Sequence, residues 1–516
     1  MCAPDDPDFT AWLEGIPERW VAPCEDVAPR VYLTQPVQSR RFPVALVAGE
    51  EALLRVFVTG DGGASERIPA VRATFYLDGS EVHVAEMPAG SASIPAEIVE
   101  GDLSMSANAR IPAEVVQPGL EVVVDVDPGG TLDLEALGVA PRIPAEGRLS
   151  VDVREMPVLD LTVVPFLWAS APDSTIIGVV ADMATNPQNA ELALTRTILP
   201  VAGLEVTGHA PVWSTSNNAY TLLRETAAIR ALEGGTGHYM GMMSGDPSVT
   251  GAGGVARSPG RVSVSGLWED RGGPSSVIAH ELGHNMSLGH GWHENAATDG
   301  AVDLSYPYRD GSIGAWGYDF RDGGRMVAPA TRDVMAGGGL AGWISDYHFT
   351  KALLHRQREE VPAAGARIEG LLVWGGLVDG APFLEPAFFV DAPVLLPESA
   401  GAFRITGRSH GGTELFSFTF AMPEVADVDG SSFAFVLPVD SGNGLASITL
   451  AGPGGSVALE GAGDRATAIL FDHAANQVRG ILRDLPPDGL AQARATAMFL
   501  DSGLEVLFSR GLPTWR

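Results

Sequence analysis

The sequence predicts a multidomain α+β chain. A mixed sheet covered by helices spans residues 156–360, β-sandwiches at 28–155 and 361–516 flank it, and a short N-terminal extension, 1–27, precedes them. Three observations predict this. At 516 residues the chain exceeds the size at which one core keeps growing. Its 62 Gly and 37 Pro are spread among β-branched and aromatic runs, the pattern of strands joined by short turns. Between Met156-Pro157 and Glu360, by contrast, strand-like and helix-like stretches alternate.

The first sandwich rests on β runs at 31–33, 52–58, 71–77 and 120–124, with Asp78-Gly79 as a hairpin turn; an immunoglobulin-like arrangement is the natural reading. In the middle region, 159–164 reads as a strand, 189–199 as a helix, 204–207 as a strand and 220–232 as a helix. Strands at 238–243 and 261–265 follow, and a helix at 349–360 ends the region. β signals return at 417–420, 433–437, 468–471 and 504–508, which defines the second sandwich.

The 33 basic against 64 acidic residues leave a net charge of −31, and Lys351 is the sole lysine. Nucleic acid and anionic membrane surfaces are therefore poor partners. Solubility in a salty or extracellular medium is the ordinary meaning of such acidity; recognition of a cationic substrate is the alternative. No apolar run is long enough to span a bilayer, so no transmembrane segment is expected. The start of the chain lacks the basic and apolar regions of a signal peptide, which leaves a cytosolic protein or a trimmed export signal. Cys2 and Cys24 are the only cysteines. They fit a disulfide closing a terminal loop outside the cytosol, or a lipid-bearing Cys2 at a bacterial surface that leaves Cys24 unpaired. The expectation is a monomer, secreted or held at the bacterial cell surface.

The most informative stretch is His280-Glu281-Leu282-Gly283-His284-Asn285-Met286-Ser287-Leu288-Gly289-His290. Histidines four apart on a helix differ by about 40° around its axis, so His280 and His284 can reach one ion. Glu281 stands beside the first ligand and can approach a water without binding the metal. On a continuing helix His290 would sit about 240° round the axis from His284 and face away, so the helix must stop. Ser287 and Gly289 occupy the turn, and Gly289 can take a left-handed conformation cheaply. Gly272-Gly273-Pro274 breaks the preceding chain, and Ser275 or Ser276 can cap the helix. Three neutral imidazoles leave a fourth position on Zn²⁺ for a water whose pKa falls toward about 7, with Glu281 as its base. The bland alternative, core or capping histidines, requires this clustering to arise without cause, yet four of the 11 histidines fall between 280 and 293.

At these residues the chain resembles the metzincin clan of zinc metalloproteases, whose motif is followed by a methionine turn beneath the metal. Arg332-Asp333-Val334-Met335-Ala336-Gly337 is the matching turn, although Met335 could simply fill the core. Residues 306–319 and 342–347 are similar to segments of secreted bacterial StcE-like, mucin-cleaving members. The resemblance covers roughly 156–360. It implies a metzincin-like zincin catalytic domain, often flanked by β-sandwiches, with an edge strand before the zinc helix that aligns substrate; Arg261-Val262-Ser263-Val264-Ser265 is the candidate for that strand. It also implies a protein or glycoprotein substrate, including mucin types. Two departures stand out: Ser287 replaces the clan's glycine, which would put a non-glycine residue in the turn at a cost of about 1 kcal/mol if it is left-handed, and Gly337 stands where some members carry a metal- or oxyanion-contacting tyrosine.

Weaker candidates are His293 as an alternative ligand, Tyr318 and Tyr347 as transition-state aids, and Ca²⁺ held by Asp125, Asp127 and Asp133 or by Asp427 and Asp429. A loop histidine, buried aromatics and solvated turns are the ordinary readings of these. The functional expectation is a zinc-dependent endopeptidase. Its rivals are a non-catalytic glycoprotein-binding adhesin that retains a zinc site and a zinc hydrolase acting on a non-peptide bond.

Overall fold

The computed structural model describes residues 30–513, apart from 62–64, 246, 268–272, 294–301, 337–341, 360–364, 398, 427–429 and 440–443. The chain is β-rich and built from several sheets with intervening helices. Cys2, Cys24, Gly337, Asp427 and Asp429 lie outside the described residues.

Two sheets enclose the N-terminal core. Strands Val31–Thr34, Ala52–Val56 and Ala107–Ile111 form one, and Val71–Leu77, Ser80–Met87 and Glu121–Val126 belong to the other. Leu33, Leu54 and Val56 from the first meet Ala73, Phe75, Val122 and Val124 from the second in one buried cluster, which makes a sandwich. Asp78 and Gly79 both have positive φ, 48° and 78°, as a two-residue hairpin turn of the twist-matching kind requires.

The middle region feeds a nine-stranded sheet. Strand Leu159–Trp168 lies at its centre, parallel to Leu204–Gly208, Val212–Ser214 and His238–Met243. Val262–Gly266 runs parallel beside His238–Met243. Helices Thr175–Thr185, Ala193–Ile198, Ala219–Glu233 and Gly273–Asn285 accompany the sheet. The helix expected at 189–199 is confined to Ala193–Ile198, with the Asn189 side chain accepting from the Leu192 amide ahead of it. Helix Thr175–Thr185 and strand Val212–Ser214 had no clear sequence signal.

Two expectations are corrected by the topology. The candidate substrate-aligning strand at 261–265 is not at the edge: Gly254–Ala256 lies outside it, antiparallel, and forms the margin of the sheet. This strand is only three residues long and contains glycine, which hides it from pattern reading. Nor does 361–516 form a sandwich throughout. Residues 367–459 do, with Leu371, Val373, Phe433 and Phe435 of one sheet packed on Ile405, Phe420, Ile448 and Leu450 of the other. Strands Ala462–Asp472, Gln477–Leu485 and Glu505–Gly511 instead return to extend the central sheet, where Gln477–Leu485 pairs parallel with Val212–Ser214. A short amphipathic strand reads the same whether it faces a sandwich or a mixed sheet, so local pattern could not assign it.

Strand Arg367–Val378 shows how the parts are joined. Alternate residues point to opposite faces, so Leu371 and Val373 enter the sandwich while Leu372 and Trp374 pack with helix Ala219–Glu233. Arg483 ties the same region together, donating to Glu225 at 2.7 Å and reaching Glu385 at 2.7 Å. No helix among the described residues is long and apolar enough to cross a membrane.

Candidate metal centre

The histidine helix ends at Asn285, and its end is built from identifiable bonds. The Ser287 amide donates to the His284 carbonyl at 2.9 Å and the Leu288 amide to the Gly283 carbonyl at 3.1 Å. This pair of bonds is the Schellman arrangement, which needs a left-handed residue between the two. Ser287 supplies it at φ 69°, whereas Gly289 is not left-handed. The sequence placed the stop in this stretch and offered both residues for the left-handed position; Ser287 takes it. Ser275 also departs from its expected capping role: its hydroxyl accepts from the Leu194 amide at 3.0 Å, tying the helix to Ala193–Ile198.

The stop lets the third histidine return. The Nε2 atoms of His284 and His290 lie 3.0 and 3.3 Å from that of His280. His280 Nδ1 is 2.9 Å from the Val334 carbonyl and His284 Nδ1 is 2.9 Å from the Leu288 carbonyl. A carbonyl only accepts, so Nδ1 of each ring donates, and the neutral tautomer with that proton turns a bare Nε2 lone pair inward. Such lone pairs repel unless a cation lies between them. Four-coordinate zinc with bonds of about 2.1 Å sets its ligand nitrogens roughly 3.4 Å apart, close to the spacing here, so the donor set fits that ion. Among the described residues this trio is the only group of His, Cys, Asp or Glu side chains placed to hold a metal. Asp125, Asp127 and Asp133 do not form such a group; Asp127 accepts from the Thr131 hydroxyl and the Leu132 amide, and Asp133 from the Ala136 amide.

Glu281 is 98% removed from solvent, at 2% exposure, and its carboxylate lies against the sheet margin: a Cβ added to Gly254 would meet Oε1 at 2.3 Å. A side chain at 254 would therefore displace the end of the Glu281 side chain. Asn285, fully buried, donates through its side-chain amide to the carbonyls of Arg257 and Val262, fastening the helix end to the edge hairpin.

Met335 lies directly beneath the helix, since a Cβ on Gly283 would fall 2.7 Å from its Sδ. The Gly291 amide donates to the Met335 carbonyl at 2.9 Å, which links the turn to the third histidine. Sequence reading missed the residue that shapes this turn. Asp333, fully enclosed, accepts from the amides of Met335 and Ser345 and from the Tyr306 hydroxyl, and pairs with His348 Nδ1 at 3.0 Å. Burial pushes its carboxyl up, but His348 and these donors outweigh burial and hold it below the usual carboxylate range.

His290 is braced from the other side. The Asp303 amide donates to its carbonyl at 2.8 Å, and the Asp303 carboxylate accepts from Tyr347 at 2.9 Å and from Lys351 at 2.6 Å. Burial raises the Asp303 carboxyl, and Lys351 and Tyr347 more than reverse that. Tyr347 thus anchors the segment that bridges to His290. Tyr318 is buried edge-on against Phe320 on the strand paired with Val37–Gln38. His293 stands beside His290, ring centroids 5.9 Å apart, and is not one of the three clustered ligands. No protein-family model matches this chain, and no curated protein does either.

Proposed function

We propose that this chain is a zinc-dependent endopeptidase with a metzincin-like catalytic region, and that it hydrolyses peptide bonds of extracellular proteins or glycoproteins. One observation carries the reading: three imidazole nitrogens cluster, and Glu281, the residue after the first of them, is a buried carboxylate packed at the margin of a sheet. His280, His284 and His290 would hold the metal, which when bound supplies Lewis acidity and a water of lowered pKa. Glu281 accepts the proton of the attacking water and returns it to the amine nitrogen as the C–N bond breaks. The Val334 and Leu288 carbonyls keep two ligand rings in the required tautomer. Gly254, at the start of the margin strand Gly254–Ala256, is the residue of that strand nearest Glu281 where a substrate backbone could pair. An adhesin needs the three histidines but not an acid–base group enclosed beside them, so Glu281 favours catalysis.

The test is to incubate wild type and Glu281→Ala with glycosylated and unglycosylated proteins and to read fragments by mass spectrometry, with metal content measured alongside. The expected outcome is about one zinc per chain in both and a loss of roughly 10²–10⁴-fold in cleavage by the variant. Cleavage retained by Glu281→Ala would remove the base from the mechanism. Metal uptake without cleavage by either protein would favour the adhesin.

A further inference from the structure

The margin of the sheet beside Glu281 is already in use at one end. Arg257 donates to the Val262 carbonyl and Gly266 to the Gly253 carbonyl, which fixes the inward-pairing residues of the edge hairpin. In an antiparallel pair such residues alternate, so Gly254, Ala256 and Ser258 turn their peptide groups outward. Two of these three are occupied by a hairpin from the C-terminal sandwich. The Ala426 amide donates to the Ala256 carbonyl at 2.8 Å, and the Ser258 amide donates to the Glu424 carbonyl at 3.1 Å. Arg257 and Val425 face each other in antiparallel register, and Arg257 Nε donates to the Ser432 hydroxyl at 3.3 Å.

The hairpin is not a loose flap. Glu424 pairs with Ser431, Val425 donates to the Gly430 carbonyl, and the second leg continues into strand Gly430–Leu437. That strand pairs along its whole length with Arg367–Val378, whose Leu372 and Trp374 pack with helix Ala219–Glu233. Val425 and Ala426 are themselves buried.

Resting on the proteolytic reading above, we propose that Glu424-Val425-Ala426, held by Gly430 and Ser431, is a built-in partner strand that fills the upstream half of the substrate groove. A substrate adding antiparallel to the margin, the orientation the hairpin itself adopts, would place a residue near the scissile bond opposite Gly254. The residue two positions toward its N-terminus would fall opposite Ala256, where Ala426 already sits. Backbone pairing at Ala256 and Ser258 is therefore closed to substrate, and the substrate chain leaves the groove within about two residues upstream of the cut. Selectivity is read at and downstream of the scissile bond. Chains that bend there, as crowded or turn-rich segments do, are accepted better than long extended ones.

The test uses the full chain, zinc-loaded, on a library of peptides longer than about ten residues, with cleavage positions and rates read by mass spectrometry. Wild type is compared with Ala426→Pro, which removes the donated hydrogen bond, and with Ala426→Ser, which keeps it. Thermal melts check that both variants fold. Wild type and Ala426→Ser are expected to show no side-chain preference beyond about the second residue upstream. Ala426→Pro should gain a preference at the third and fourth and cut extended peptides roughly fivefold faster, the effect of about one recovered peptide hydrogen bond. Upstream selectivity already present in wild type, or a folded Ala426→Pro identical to it, overturns the inference and leaves the proteolytic reading standing. A wild type that cuts no peptide removes both.

Discussion

Gly254 and Ser287 are the two residues whose backbones the metal centre depends on most directly. A Cβ at Gly254 would meet the Glu281 carboxylate at 2.3 Å. Gly254→Ala should therefore retain metal while displacing the base, lowering kcat by roughly 100-fold, the order expected when a reacting group moves by about 1 Å. Zinc content and kinetics measured on the same preparation check this, and loss of metal alongside activity would mean that the strand supports the ligands instead. Ser287 carries left-handed backbone in the Schellman turn, a conformation that disfavours most non-glycine residues by about 1 kcal/mol. The histidine spacing made the stop legible from the sequence, because a helix cannot present His290 on the same face as His284. The sequence offered both Ser287 and Gly289 for the left-handed position, and the choice between them follows from hydrogen bonds to Gly283 and His284 that only the folded chain forms.

Among elements, the turn around Met335 has the most consequence. Its shape comes from Asp333, whose two oxygens gather Met335, Ser345, Tyr306 and His348 into one enclosed network. Removing a carboxylate from such a network leaves buried donors unsatisfied and His348 without its acceptor. Asp333→Ala is expected to weaken metal binding by about 10–100-fold, as loss of a supporting group behind metal ligands does, and to lower stability by roughly 3 kcal/mol or more. Metal titration and denaturant unfolding measure the two effects separately. Unchanged affinity in a folded variant would mean that the turn does not support the site. The strands and helices with long hydrophobic runs, such as His238–Met243 and Ala219–Glu233, were readable because their patterns are strong. The margin strand Gly254–Ala256 was not, because three small residues carry almost no periodicity.

At the scale of the whole molecule, the C-terminal strands are part of the central sheet and not a separate module. Ile469, Phe471, Val478 and Ile481 share one core with Leu222, Ile229 and Val264 of the middle region. Deleting residues 462–516 is therefore expected to cost the middle region its cooperative melt and its metal, read by calorimetry and metal analysis. A truncated chain that melts unchanged would show that these strands are dispensable. Sequence order misled here because chain neighbours usually pack together, whereas these strands, which start at Ala462, return to a sheet begun at Leu159. The central claim remains that three imidazoles hold one ion beside Glu281. Diffraction from zinc-loaded crystals at the zinc absorption edge tests it most directly. The account predicts a single anomalous peak about 2.1 Å from Nε2 of His280, His284 and His290. A peak ligated by other residues, or none between these three rings, would contradict it.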